Sequence, residues 1–290
     1  FSKYFKVETV DHTRGLKYEQ EFRNNKKDVG EPKITKTKCK PYTKISWITD
    51  FDRFGIEKYS DDMINLMIRR IYDISGITGG KVNIYYNRKK ISCDTFEKYI
   101  DLYLEDSKKV YEKLHDRWEM GVSVSKNDKY EHYSFVNGIA TFKGGKHVDY
   151  ITKQITSKLS EYILKKNKVE VPENYIKNYI TIFINSIIVN PSFDSQTKER
   201  LITPQSKFGS KPVISDKFIE KIATNLDIIS KVLLFTEFKQ NKDAQKNNGA
   251  KVKRINVPKL DDANKAGTNE SNKCTLILTE GDSAKTTAVS

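Results

Sequence analysis

Cysteine is scarce and unpatterned in this chain: Cys39, Cys93 and Cys274 lie far apart in 290 residues and form no CxxC pair. Neither a disulfide framework nor a cysteine zinc site is suggested, and a reducing compartment suits such a chain. No apolar run approaches the ~18 residues that a membrane-spanning helix needs. The opening residues Phe1-Ser2-Lys3-Tyr4-Phe5 show neither an initiating Met nor the pattern of a secretory leader. They read instead as the interior of a strand, and Ala288-Val289-Ser290 directly follows a motif at the other end. Both ends lead us to expect a longer parent protein. No internal repeat is visible.

An acidic balance is missing too. Lys and Arg number 52 against 38 Asp and Glu, a formal net charge of +14. Such an excess favours a polyanionic partner, nucleic acid before an acidic membrane surface, although a general bias toward Lys, Ile and Asn accounts for part of it. Charge alone does not separate DNA from RNA. At about 150 residues per domain, the length allows two domains with cores of their own.

Along the chain, Phe5 to Val10 and Lys44 to Thr49 alternate as strands do. Between Asp61 and Ser75 the residues Met63, Ile64, Met67, Ile68, Ile71, Tyr72 and Ile74 recur at helical spacing, with Arg69 and Arg70 on the other side. That predicts an amphipathic helix. Lys81 to Asn87 reads as a strand entering a turn. Cys93 to Glu105 leads into a new unit, and Asp106 to Asp116 reads as helical. Trp118 to Ser125 and Tyr130 to Thr141 alternate around Lys126-Asn127-Asp128-Lys129, which predicts a hairpin. A glycine turn at Phe142 to His147 then opens a helix striped by Ile151, Ile155, Leu159 and Ile163. Val213 to Phe238 reads as helices, and Lys239 to Lys273 as a polar, basic linker or DNA-contacting arm.

The most apolar stretch is Tyr179 to Val189, a β-branched and aromatic run with the look of a central strand, stopped by Pro191. It completes the order β-β-α-β, with a crossover helix expected on one face of the sheet. Beyond Pro191 the loop Ser192-Phe193-Asp194-Ser195-Gln196-Thr197-Lys198-Glu199-Arg200 carries an amide and an ammonium at the end of a rigid strand. Proteins commonly position such groups on a phosphate. A solvated turn is the plainer alternative. Near the other end, Cys274-Thr275-Leu276-Ile277-Leu278-Thr279 is an apolar run that delivers Glu280, Gly281 and Asp282, and it reads as another strand.

These two stretches, with Ser134-Phe135-Val136-Asn137-Gly138-Ile139-Ala140-Thr141, Gly144-Gly145-Lys146-His147, Phe208-Gly209-Ser210 and Pro258-Lys259-Leu260-Asp261-Asp262-Ala263-Asn264, fall in the order found in one family. The chain resembles a type II DNA topoisomerase, in its eukaryotic or large-virus form, from the first residues to the last. The resemblance implies an α/β (α+β) chain in four parts. These are the C-terminal part of a GHKL ATPase sandwich at 1–92, a transducer domain with a ribosomal-protein-like β-β-α-β fold at 93–238, a basic linker at 239–273, and the first strand of a TOPRIM domain at 274–290.

It also implies roles for single residues. Gln196, Thr197 and Lys198 resemble the loop that reaches the nucleotide, with the Lys198 ammonium at the γ-phosphate of ATP. Glu280 resembles a carboxylate that helps hold Mg²⁺ beside cleaved DNA. One carboxylate is not a site, Asp282 alone does not complete it, and the family's Asp-x-Asp pair and nucleophilic tyrosine would lie beyond Ser290. Lys165, Lys166 and Lys168 match a lysine loop facing the transported duplex, although this version is shorter. A solvated helix end favoured by the helix dipole is the other reading of those lysines. The partners implied are double-stranded DNA and a second copy of the full-length protein, with no membrane, and the compartment is the nucleus, or host cytoplasm or virion for a viral enzyme. Two rivals stay open from sequence: a mismatch-repair or chaperone-type GHKL ATPase, and a basic RNA-binding module.

Overall fold

The protein is described by a computed structural model covering residues 1–105, 107–247 and 262–280, the side chains of 241–247 aside. It divides into two compact units, Phe1–Asp73 and Ile74–Ser290.

The first unit is an antiparallel sheet followed by helices. Strands β1 (Ser2–Asp11), β2 (Leu16–Arg23), β3 (Asp28–Val29), β4 (Lys33–Lys36) and β5 (Thr43–Thr49) are ordered β3-β2-β1-β5, with β4 also pairing with β2. Residues directly opposite one another share a face. Phe5 stands between Phe22 and Trp47, and Val7 between Gln20 and Ile45, so this face is largely apolar. The other face carries Lys6, Glu8, Lys17 and Glu19, joined by ion pairs at 3.0 Å (Lys6–Glu19), 3.3 Å (Lys17–Glu8) and 3.4 Å (Lys17–Glu19). A one-turn helix α1 (Phe51–Phe54) and the long α2 (Asp61–Ile77) follow, as the apolar spacing predicts. In the second unit, the expected strand at Lys81 to Asn87 is shorter than its pattern: only β6 (Tyr85–Tyr86) pairs, with β7 (Lys89–Lys90).

The second unit holds the main core. Helix α3 (Phe96–Leu104) precedes β8 (Lys109–His115), β9 (Trp118–Val124), β10 (Glu131–Val136) and β11 (Ile139–Ala140), and then come α4 (Lys146–Asn167), α5 (Glu173–Asn178) and β12 (Ile180–Ser186). The sheet order is β11-β10-β12-β9-β8. Ile180, Ile182, Phe183 and Ile184 are wholly buried in β12, so the most apolar strand takes the middle of the sheet. Its parallel pairing with β10 confirms the crossover through α4.

Two expectations fail here. The β9 and β10 runs form no hairpin, because β12 lies between them, antiparallel to β9 and parallel to β10. A fully apolar strand gains more from two paired neighbours than either half-polar strand gains from the other. Within the stretch read as a helix at Asp106 to Asp116, Lys109–His115 form β8, the edge strand hairpinned to β9. Its lysines and glutamate suggest a helix, yet charged side chains are also what protects an exposed sheet edge.

Helix α4 lies on one face of the sheet. Ile151, Ile155, Leu159 and Ile163 are fully buried against Ile180, Ile182 and Ile184 from β12, together with residues of α6 (Asp216–Asn225) and α7 (Ile228–Asn247). On the other face α3 approaches so closely at Gly121 that a Cβ there would sit 2.5 Å from Ile100 Cδ1. Helix α7 runs to Asn247, into the stretch read as linker. Cys274 to Thr279 forms no strand, and Leu276, Ile277 and Leu278 are exposed. An apolar run becomes a strand only when another strand offers its ladder. Residues 281–290, including Asp282, lie outside the described residues.

Truncating Ile155 to Ala in the middle of the α4 stripe is expected to cost roughly 2–5 kcal/mol, because the packed neighbours close the void only in part. Urea unfolding of the purified chain measures this, and a loss below about 1 kcal/mol would show that α4 is not held by this face.

Candidate functional site

The loop after β12 is exposed at its tip and clamped at its base. The chain leaves the sheet at Ser186, and the next residues are gripped by the β10–β11 turn. Asn137 and Gly138 take the positive φ angles of a tight hairpin turn, 50° and 80°. Turned this way, the Asn137 side chain acts as a substitute strand: its Nδ2 donates to the carbonyl of Ile188 at 2.9 Å and its Oδ1 accepts from the Ile188 N–H at 2.8 Å. The Asn137 N–H also donates to the Ser186 carbonyl at 2.9 Å.

One residue further, Val189 donates its N–H to the carbonyl of Phe208 at 3.1 Å. Gly209 lies so close that an added Cβ would sit 2.4 Å from Val189 Cγ2. Arg117 donates to the Gly209 carbonyl at 3.2 Å, and the Trp118 indole N–H donates to Ser210 Oγ at 2.8 Å.

The returning limb of the loop is held by the glycine turn before α4. Leu201 donates its N–H to the Gly144 carbonyl and accepts from the Lys146 N–H, both at 3.1 Å. Gly145 sits at φ 131°, and a Cβ there would meet the Leu201 carbonyl oxygen at 2.3 Å. No residue with a side chain fits that contact. Across the loop, Ile202 donates its N–H to the Ser192 carbonyl at 2.9 Å, and Asp194 to the Arg200 carbonyl at 3.2 Å. The motifs at Ser134–Thr141, Gly144–His147 and Phe208–Ser210 therefore converge on one task, which is to fix the base of a single loop.

At the tip, the Lys198 N–H donates to the Ser195 carbonyl at 3.1 Å, and Lys198 takes a left-handed φ of 59°. Ser195 Oγ and Thr197 Oγ1 lie 3.0 Å apart. Gln196, Thr197 and Lys198 are all exposed. The Lys198 ammonium has no hydrogen bond or ion pair among the described residues, whereas its neighbour Glu199 is paired with Lys143 at 2.6 Å. An amide, a hydroxyl and an unpaired ammonium on a rigid base are donors of the kind that phosphate oxygens accept.

Beneath the loop lies a buried polar ladder. Thr141 Oγ1 donates to the Ser134 carbonyl at 3.0 Å, and Ser134 Oγ lies 2.6 Å from Thr141 Oγ1. His147, fully buried, places Nε2 at 3.2 Å from that same Thr141 hydroxyl. With the hydroxyl proton committed to Ser134, the imidazole is the donor through Nε2, which leaves Nδ1 as a buried acceptor with no partner. Burial, with a smaller contribution from His132, pushes the His147 pKa down to about 3. His132 is lowered as well, chiefly by burial, with Asp149 opposing and Lys177 assisting. His147 is thus a neutral structural group.

The lysine candidates lie elsewhere. Lys165 and Lys166 are in the last turn of α4, Lys168 caps it at φ 60°, and all three are exposed. Lys166 donates to the Tyr162 hydroxyl at 3.0 Å. The loop base meets the start of α4 and these lysines its end, which at 1.5 Å per residue places them about 30 Å apart along one helix. Glu280 is exposed, and among the described residues no group of three or more His, Cys, Asp or Glu could hold a metal ion. The part of its motif after Glu280 falls outside them. Among the described residues, no helix is long and apolar enough to cross a membrane. Asn137 and Lys143 escaped sequence reasoning. Tyr130 to Thr141 reads as one alternating run, whereas a turn at Asn137-Gly138 divides it into β10 and β11.

Fold and loop together define a class. Residues 85–252 match the family described as DNA gyrase B, and the chain belongs to that family. Relatives narrow the likeness to the eukaryotic type. DNA topoisomerase 2 of Arabidopsis thaliana is 44% identical over 300 residues, all of this chain and 20% of that protein. DNA topoisomerase 2-beta of Mus musculus is 42% identical over 302 residues, again all of this chain and 18% of that protein. The chain thus spans about a fifth of the length of these curated relatives. Among solved structures, the ATPase region of Saccharomyces cerevisiae topoisomerase II matches with a TM-score of 0.75 and 41% identity, over 82% of this chain and 61% of that one. The ATPase and transducer domains of DNA topoisomerase II from Balamuthia mandrillaris match at 0.77 and 37%, over 83% and 62%.

Because the native His147 pKa lies below the ~6.5 of an unfolded histidine, the unfolded chain takes up a proton under mild acid that the folded chain refuses. Stability is complete above pH 6.5 and falls as pH drops from there toward 3. Between pH 6 and 5 the unfolding free energy should fall by about 1 kcal/mol more than in His147→Gln. Urea titrations at both pH values read the difference, and equal slopes would mean that His147 titrates normally.

Proposed function

We propose that this chain is part of an ATP-dependent type II DNA topoisomerase, which passes one duplex through a transient double-strand break in another. In this reading the present region couples ATP binding and hydrolysis to gate movement. The observation that carries it is the exposed, unpaired Lys198 ammonium on a loop whose base is held by three separate motifs. The breadth of the likeness to proteins named DNA topoisomerase 2, over the whole chain, favours this reading over a mismatch-repair or chaperone ATPase and over an RNA-binding module.

Bound ATP supplies the phosphoanhydride whose hydrolysis drives the cycle. Lys198 brings a positive charge to its γ-phosphate, offsetting the negative charge that builds on the phosphoryl oxygens. Gln196 and Thr197 offer an amide and a hydroxyl to the same oxygens and orient them. Since Lys198 rides on the second unit, its grip depends on whether the phosphate is still present. Loss of the phosphate releases that grip. Lys165, Lys166 and Lys168 hold the passing duplex by its phosphates, without regard to sequence. Glu280 provides one hard oxygen ligand toward Mg²⁺, and a complete site needs further carboxylates. Double-stranded DNA and a second copy of the same protein are the partners, and the nucleus is the compartment for a cellular enzyme.

In the protein that carries this chain, Lys198→Ala should lower ATP turnover by roughly 10- to 100-fold and uncouple what remains from strand passage. Paired measurements of ATP hydrolysis and relaxation of supercoiled plasmid test this, and normal coupling in the variant would sink the assignment. For Lys165→Ala with Lys166→Ala, the slope of log affinity for duplex DNA against log salt should flatten by about 1–2. An unchanged slope removes those lysines from the DNA path.

A further inference from the structure

Resting on the reading of Lys198 as the phosphate contact, we infer that Lys143 is a positioning residue which keeps that ammonium available by occupying the Glu199 carboxylate beside it. Glu199 adjoins Lys198 in the chain and Asp194 stands on the opposite limb of the same loop. Either carboxylate is a natural partner for an exposed ammonium, and a paired lysine has to break that pair before it can receive a phosphate. For Glu199, Lys143 prevents this in two ways. Its Nζ lies 2.6 Å from Glu199 Oε2, and its backbone N–H donates to the Glu199 carbonyl at 3.0 Å, so main chain and carboxylate are both turned toward the glycine turn. The next residues, Gly144 and Gly145, are the ones docked on Leu201, so Lys143 is held at this place by the backbone. The hydrogen bond to Glu199 raises the Lys143 pKa, and Asp194 adds to the effect in the same direction, which places both acids in the field of this one cation.

An exposed ion pair contributes little to stability. Lys143 acts instead on which of two lysines Glu199 takes, and a charge that is not competed for is pre-organised for its ligand.

The test is a double-mutant cycle in the full-length protein, read by the Kd of a non-hydrolysable ATP analogue in calorimetry and by the KM and kcat for ATP. Lys143→Gln should weaken binding of the analogue about three- to tenfold, with a matching rise in KM and a smaller change in kcat. Glu199→Gln alone should change neither by more than about 1.5-fold, and the double variant should return to within about twofold of the parent. Lys143→Gln with unaltered affinity overturns the inference. So does Glu199→Gln that improves binding equally in both backgrounds, since Lys143 would then act on the phosphate directly. A parallel Lys198→Ala arm separates the two ideas. If that variant binds the analogue normally, the phosphate reading has failed; if it binds poorly while Lys143→Gln is silent, only the positioning role has.

Discussion

The backbone contact between Gly145 and Leu201 is what the rest of the second unit depends on. It can exist only because Gly145 has no side chain and tolerates a φ of 131°. Through it the start of α4 and the returning limb of the loop share hydrogen bonds, so the loop moves with the helix. The Asn137 clamp on Ile188 and the Gly209 contact with Val189 do the same for the outgoing limb. A loop with a polar, solvated tip has little burial of its own to hold it. Its rigidity comes from three contacts at its base: backbone on backbone at Gly145, the Asn137 side-chain clamp on Ile188, and Gly209 packed against the Val189 side chain.

Helix α4 carries that rigidity across the unit. Its apolar stripe is fully buried on the central strand, so it cannot tilt without opening the core. The loop stands at its beginning and the exposed lysines at its end. In the proposed function, this makes the helix a strut between the group that senses the nucleotide and the groups that meet DNA. A stiff element with a site at each end can transmit a rotation. The neutral His147 and its threonine and serine partners sit under the near end. Buried polar groups of this kind specify one arrangement of neighbours, because any other would leave more of them unsatisfied.

Local patterns were sound wherever a segment's own periodicity matched its surroundings. The α4 stripe, the α2 helix, strands β1 and β5 of the first sheet and the central strand all follow from spacing. The loop was found from its residues, and the motifs around it from their order. Pairing was not found. Trp118 to Ser125 and Tyr130 to Thr141 carry a good hairpin signature, and nothing within them announces that a strand some forty residues later will come between. Lys109 to His115 is compatible with helix or edge strand, and only its place at the sheet margin decides. Leu276 to Leu278 has strand composition, yet no neighbour in the described residues pairs with it.

By itself, then, the order of residues determined which stretches are apolar, where the turn before α4 needs glycine, and which side chains carry chemistry, because those properties belong to single residues and to spacings of a few. Tertiary structure alone decided the neighbours: β12 between β9 and β10, Asn137 on Ile188, Leu201 on Gly145, and Lys143 on Glu199. These contacts join positions from about 50 to nearly 70 residues apart, and their formation turns on which segment buries the most apolar surface once the chain has closed its longer loops. That competition is settled by the whole molecule, and no short window of sequence contains it.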